Sequence, residues 1–254
     1  MNSGKSFLIL IPVWLLLFSS CKKEENAPAD SGVELNIRLR HVALGASLAG
    51  KDVLEDSSGT LLRFSKLQYY LSGFRLETEN PMETYSLPGT VHLVKGLDKA
   101  GETTLTLKGI PGRAYKSLVF HIGLDSITNR SRGGIGALDP GNGMYWSWSG
   151  EYKFMVLEGN YQAGDSTGAF LFHLTGQPCY RSVRIPLLDT SGKELDIREG
   201  GEILLDAEIS ALFGAPHPVD FRKMNNVMSL EAGAGKIADN YSYGRFFRLR
   251  EKKK

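Results

Sequence analysis

The chain has 254 residues, 42% hydrophobic and 23% charged, the balance of a folded globule and not of a disordered tail or a multispan membrane protein. With 30 Lys and Arg against 28 Asp and Glu, the net charge of +2 gives no electrostatic hold on a phosphate backbone, so no nucleic acid is expected as a partner. Its 29 glycines, 10 prolines and 10% aromatics, without any long window of helical period, point to short strands joined by turns.

At the N-terminus Lys5 precedes an apolar run over residues 7–18, too short to cross a bilayer as a stable helix and ending in small residues directly before Cys21. This reads as a secretory leader over residues 1–20 and a bacterial lipoprotein box in which Cys21 carries the lipid. The expected location is the outer membrane, facing the periplasm or the cell surface, with membrane contact through the lipid anchor. The polar stretch 21–32 cannot bury apolar area and reads as a tether, which leaves residues 33–254 as a single folded domain. If Cys21 is lipidated, Cys179 has no partner and the domain holds no intramolecular disulfide.

Val33, Leu35, Ile37 and Leu39 alternate with Glu34, Asn36, Arg38 and Arg40, the period of a strand with one wet face. Further strands are expected over 64–78, 91–94, 103–108, 116–124, 152–158, 169–174, 182–188 and 203–209, separated by turn signals such as Pro88-Gly89 and Pro111-Gly112. Short helices are expected near 210–213 and 236–246. The spacing suits an all-β domain, an antiparallel, immunoglobulin-like sandwich with one or two short helices.

Several motifs fail at the residues that carry their chemistry. Gly164-Asp165-Ser166-Thr167-Gly168 fits a hydrolase nucleophile pattern, but a strand follows where a helix is needed, so it reads as a hairpin turn. Gly233-Ala234-Gly235-Lys236 lacks the first half of a phosphate loop and the Ser or Thr after Lys. Asp139-Pro140-Gly141 lacks a continuing series of oxygen ligands and reads as a tight turn.

The unusual segment is Met144-Tyr145-Trp146-Ser147-Trp148-Ser149-Gly150, approached through the glycine-rich stretch 132–143. In an extended backbone Trp146 and Trp148 share one face, either as a packed aromatic pair or as part of a site. His92, His121 and His173 fall in expected strands, and the last two alternate against apolar neighbours, so they point away from the apolar face. Imidazoles from separate strands can build a copper, zinc, iron or nickel site, and Cys179 and Met144 are soft enough to join a Cu(I) site. His41 and His217 are not placed to converge with them.

Gly123-Leu124-Asp125-Ser126, Leu138-Asp139-Pro140, Gly143 through Trp148, Tyr152-Lys153-Phe154 and Leu157-Glu158-Gly159 together resemble the central signature of MbnP-like proteins in order and spacing. Phe172-His173-Leu174, Leu67-Gln68-Tyr69-Tyr70-Leu71-Ser72, His92-Leu93-Val94 and Ile237-Ala238-Asp239-Asn240-Tyr241 extend the likeness over most of the domain. The resemblance implies an exported copper-binding β-sandwich, and a dihaem MbnH-like peroxidase partner that oxidises a tryptophan to kynurenine. It nominates the tryptophans of the Trp-Ser-Trp segment for modification and His173 as the histidine of the family's Phe-His-Leu strand. Trp148 is the preferred target, being nearer the Tyr152 strand. Two departures are plain: the best-studied branch has four domain cysteines where this chain has Cys179, and Ser-Gly-Glu-Tyr follows Trp148 where Gln-Ser-Gly-Tyr is usual.

The expected function is a lipid-anchored copper-binding protein of the bacterial envelope, for copper uptake, storage or delivery, without catalytic turnover. The expected ligands come from His173, His121, His92, Trp148 and Trp146. The alternatives are a surface module whose tryptophans stack on a glycan or protein ligand, and a structural accessory lipoprotein.

Overall fold

Alternation in the first strand folds as its sequence dictates: in β1 (Val33–Ala43) Leu35, Ile37 and Leu39 are buried while Asn36, Arg38 and Arg40 lie half-buried on the opposite face. The computed structural model describes Met1 and residues 32–253 apart from 49–52, 57, 98–100, 189–190 and 229–231. Residues 2–31, with the expected leader, Cys21 and tether, lie outside the described residues. The remaining strands used below are β2 (Leu61–Glu77), β3 (Val91–Lys95), β4 (Glu102–Ile110), β5 (Ser117–Ile122), β6 (Met155–Ala163), β7 (Ser166–Leu174), β8 (Arg181–Pro186), β9 (Gly201–Glu208), β10 (Asn226–Met228) and β11 (Phe247–Lys253). The helices are α1 (Ser126–Asn129) and α2 (Ala232–Ser242).

The all-β sandwich stands, with three differences in detail. Two of its pairings are parallel, β1 with β9 and β7 with β10, where antiparallel pairing throughout was expected. Helix α2 starts before residue 236 and ends at Ser242, near Gly244 with its φ of 81°. Phe246 and Phe247 are then drawn into the core, and the chain continues as β11, a strand the sequence reading missed.

One sheet has the order β11-β9-β1-β4. The other is built on the 17-residue β2 as its spine. The inner faces meet through Tyr69 of β2 against Phe246 and Phe247, and Phe120 of β5 against Phe247.

The spine sheet is split in a particular way. β5 and β6 both run antiparallel to β2 and lie end to end along the same edge: Ile122 pairs with Leu71, and Met155 with Tyr69. β8 and β7 repeat this one row further out, with Arg181 opposite Ile122 and Leu174 opposite Met155. At the seam the Gly123 N–H donates to the Tyr70 carbonyl, and the Tyr70 N–H donates to the Phe154 carbonyl. Residues 124–153 therefore leave and rejoin the sheet at a single spine residue. Only glycine fits at the exit: Gly123 has a φ of 103°, and a Cβ there would lie 2.5 Å from the Phe154 ring.

Candidate metal centre

The excursion 124–153 is fastened to the outer face of the spine sheet by side chain to backbone bonds. Asp125 caps α1 by accepting from Ile127 N and Thr128 N. The Tyr70 hydroxyl donates to the Ala137 carbonyl at 3.0 Å, and the Tyr152 hydroxyl to Leu138 at 2.7 Å. Asn129 Oδ1 accepts from Tyr152 N at 2.8 Å. Asp139 caps a 3-10 turn by accepting from Gly141 N, which accounts for the Asp-Pro-Gly motif as a turn.

So anchored, the excursion presents a two-residue hairpin, Tyr145–Trp146 paired with Glu151–Tyr152. Trp146 is 8% exposed, whereas Trp148, in the turn closed by Gly150 N–H to the Trp146 carbonyl, is 74% exposed. The Trp146 ring lies 5.3 Å from that of Trp148 and 5.9 Å from the His173 ring, centroid to centroid. The Lys153 ammonium sits 5.7 Å from the centre of the Trp146 ring, a cation–π contact that lets a buried lysine keep a partner.

The β6–β7 hairpin places His173. Its loop, Gly164-Asp165, uses a glycine with a φ of 60°, and the resulting register puts His173 opposite Val156 with Glu158 two residues along the same face. His173 Nε2 meets Glu158 Oε1 at 2.7 Å. A carboxylate only accepts, so Nε2 carries the proton and Nδ1 keeps its lone pair in the neutral ring. That Nδ1 is buried and has no hydrogen-bond partner. Burial first, then Lys153 and Lys66, pull the His173 pKa below the ordinary imidazole value, against the pull of Glu158. Lys153 is also lowered, by burial and by Lys66, with Glu158 opposing.

The structure thus brings together Trp146, Trp148 and His173, and adds Glu158, Lys153 and Lys66, to which the sequence reading assigned no site role. Glu158 was accessible to it, since a two-residue loop at 164–165 fixes the pairing. The preference for Trp148 as the tryptophan beside His173 does not survive: Trp146 holds that position, because the turn carries Trp148 outward.

The other two histidines do not converge on this cluster. His92 pairs with Leu71 on the inner-facing side of the spine sheet and packs edge-on against Phe74 at 5.5 Å, so it is on the face opposite His173. His121 shares the outer face, but it pairs with Ser72 whereas His173 sits level with Gln68, about 13 Å away along the spine. His121 is instead stacked on Tyr180 at 4.5 Å. Burial raises the Cys179 thiol to about 11, and its carbonyl accepts from the Tyr241 hydroxyl of α2, so Cys179 packs and stays protonated. Met144 is fully buried. Among the described residues no three His, Cys, Asp or Glu side chains are grouped to hold a metal ion. His92 Nε2 and His121 Nδ1 are also buried without a hydrogen-bond partner, but beside Trp146 the residues as encoded fit copper through one ready nitrogen, His173 Nδ1; the Trp146 indole N–H is a donor and offers no lone pair.

The sequence model of the MbnP family matches residues 32–229. A solved structure, MbnP from Methylosinus trichosporium, is similar to the chain with a TM-score of 0.50 and 16% identity over 87% of this chain and 98% of that one, a likeness of fold. No curated protein sequence matches. The chain belongs to the MbnP family, a copper-associated group.

Proposed function

We propose that this chain is a lipid-anchored envelope protein that binds copper for uptake, storage or delivery without turnover, using His173 Nδ1 and a nitrogen made from Trp146. The observation that carries this reading is a buried histidine nitrogen with no hydrogen-bond partner, on a ring packed against Trp146 and oriented through its other nitrogen by Glu158. Carboxylate–histidine pairs of this kind fix the tautomer and direction of metal-binding imidazoles.

Trp146 gains a lone pair only if its indole is opened. A dihaem peroxidase partner supplies the oxidant: two equivalents of peroxide cleave the C2–C3 bond to give N-formylkynurenine and two waters, and hydrolysis releases formate to leave an aryl amine. This chain's own residues position that ring. Lys153 holds the aromatic face, the Tyr145–Tyr152 hairpin fixes its height above the sheet, and Trp148 covers its solvent side. Copper bound there would be held by the aryl amine and imidazole nitrogens, ligands suited to it.

The test is peptide mass spectrometry and metal analysis on protein from its native source. Kynurenine at 146, with tryptophan retained at 148 and bound copper lost in His173→Ala, is the expected outcome. Two intact tryptophans and unchanged copper content in His173→Ala would overturn the reading, and the exposed Trp148 face would then favour the surface-binding alternative.

A further inference from the structure

β10 joins the sheet parallel to β7, with His173 in register with Met228 and Phe172 with Val227. Registered residues on neighbouring strands project from the same face, about 4.8 Å apart at the backbone. Val227 is buried on the core side beside Phe172, and so Met228, 38% exposed, stands on the outer face directly beside His173. His173 is therefore flanked on that face by Glu158, reached from the β6 side, and by a thioether on the β10 side. Core packing from this strand comes from Val227, which is 1% exposed. Methionine has three rotatable bonds beyond its backbone, enough for Sδ to meet an ion shared with His173 Nδ1.

We propose that Met228 is a thioether ligand of this copper site and makes it select Cu(I) over Cu(II). The inference rests on the copper reading above and extends it to the oxidation state of the bound ion. A neutral, soft sulfur adds affinity for Cu(I) and little for Cu(II), which prefers nitrogen and oxygen donors. It also explains how a face with one ready imidazole can hold a monovalent ion: the thioether binds without losing a proton, so its contribution is the same across the physiological pH range.

The experiment uses the full chain purified from its native source and stripped of copper, with Cu(I) and Cu(II) affinities measured by competition against chelators specific for each ion and copper–sulfur scattering read by X-ray absorption. Wild type is expected to show a sulfur neighbour to bound Cu(I). Met228→Leu, which preserves volume and should melt as wild type does, is expected to lose that signal and about tenfold or more in Cu(I) affinity, while Cu(II) affinity stays within about twofold. Wild-type and Met228→Leu proteins binding Cu(I) equally, without a sulfur neighbour, while His173→Ala loses it, would overturn the thioether role and leave the copper reading standing. A wild-type chain that takes up neither ion would overturn both.

Discussion

His41 and His173 are buried almost alike, 3% and 8% exposed, and each engages Nε2 at nearly the same distance, 2.8 Å to the Tyr69 hydroxyl and 2.7 Å to Glu158. His41 sits between the sheets, where Tyr69 packs on Phe246 and Phe247, and burial alone brings its pKa down to about 4. His173 sits on the outer face under Trp146, where a carboxylate opposes the same burial. The comparison teaches that depth does not make a histidine a ligand. The two differ in that His173 has a carboxylate on one nitrogen and, on the other, a lone pair that no hydrogen bond claims.

The largest separation between the two should come from truncation. His173→Ala is expected to lose copper affinity by on the order of 10³-fold while the melting temperature changes little, and His41→Ala to lower the melting temperature and leave the affinity of the folded protein unchanged. Equal copper affinities in both variants, measured by chelator competition, would end the distinction.

Acid should separate them next. The His41 ring stays neutral in the folded protein down to about pH 4, while the unfolded chain takes up its proton near pH 6.5. Stability conferred by this group is thus full above pH 6.5 and falls by about 3 kcal/mol as pH drops to about 4, where the loss levels off. Urea melts from pH 7 to 4 should show that slope, and His41→Asn should flatten it. For His173 the lowered pKa means that protons compete for Nδ1 at lower pH than they would for an ordinary imidazole, so copper affinity should fall on acidification over a lower pH range than that of a free-imidazole reference.

A smaller effect is expected from Glu158→Gln, which keeps the shape of the partner but removes its charge: copper affinity should fall by about 10–100-fold with the fold intact. The smallest concerns the exposed indole. Trp148→Phe should alter stability by less than about 0.5 kcal/mol, whereas Trp146→Phe should abolish both modification and tight copper binding. A Trp148→Phe variant that loses modification would return the role to Trp148.

Much of the fold was legible because alternation and turns are local signals. The pattern of β1 and the Gly164-Asp165 turn were enough to fix a strand and a hairpin register, and with them the face on which His173 stands. His92 was not, because its placement depends on the pairing with Leu71, and a one-residue change of register would turn it to the other face. The order of the tryptophans failed for a different reason. Distance along the chain from Tyr152 favoured Trp148, but the hairpin pairs Trp146 with Glu151 and uses Trp148 as turn, so the nearer residue in sequence is the farther one from His173. The missed β11 has the same cause as His92, since its strand exists only through pairing with β9.

Tyr70 carries one further consequence. In an uninterrupted antiparallel ladder one opposing residue would both donate to and accept from it; here Gly123 donates and Phe154 accepts, and the whole excursion is spliced into that one position. The spine pairs with β5 on one side of that position and with β6 on the other, so the splice itself adds no pair to the ladder. The segment bearing the tryptophans is in this sense a cassette, able to acquire, lose or exchange its chemistry in a lineage while the scaffold beneath it is left unedited, and a related scaffold with the same seam could receive it by grafting between the residues matching Gly123 and Phe154.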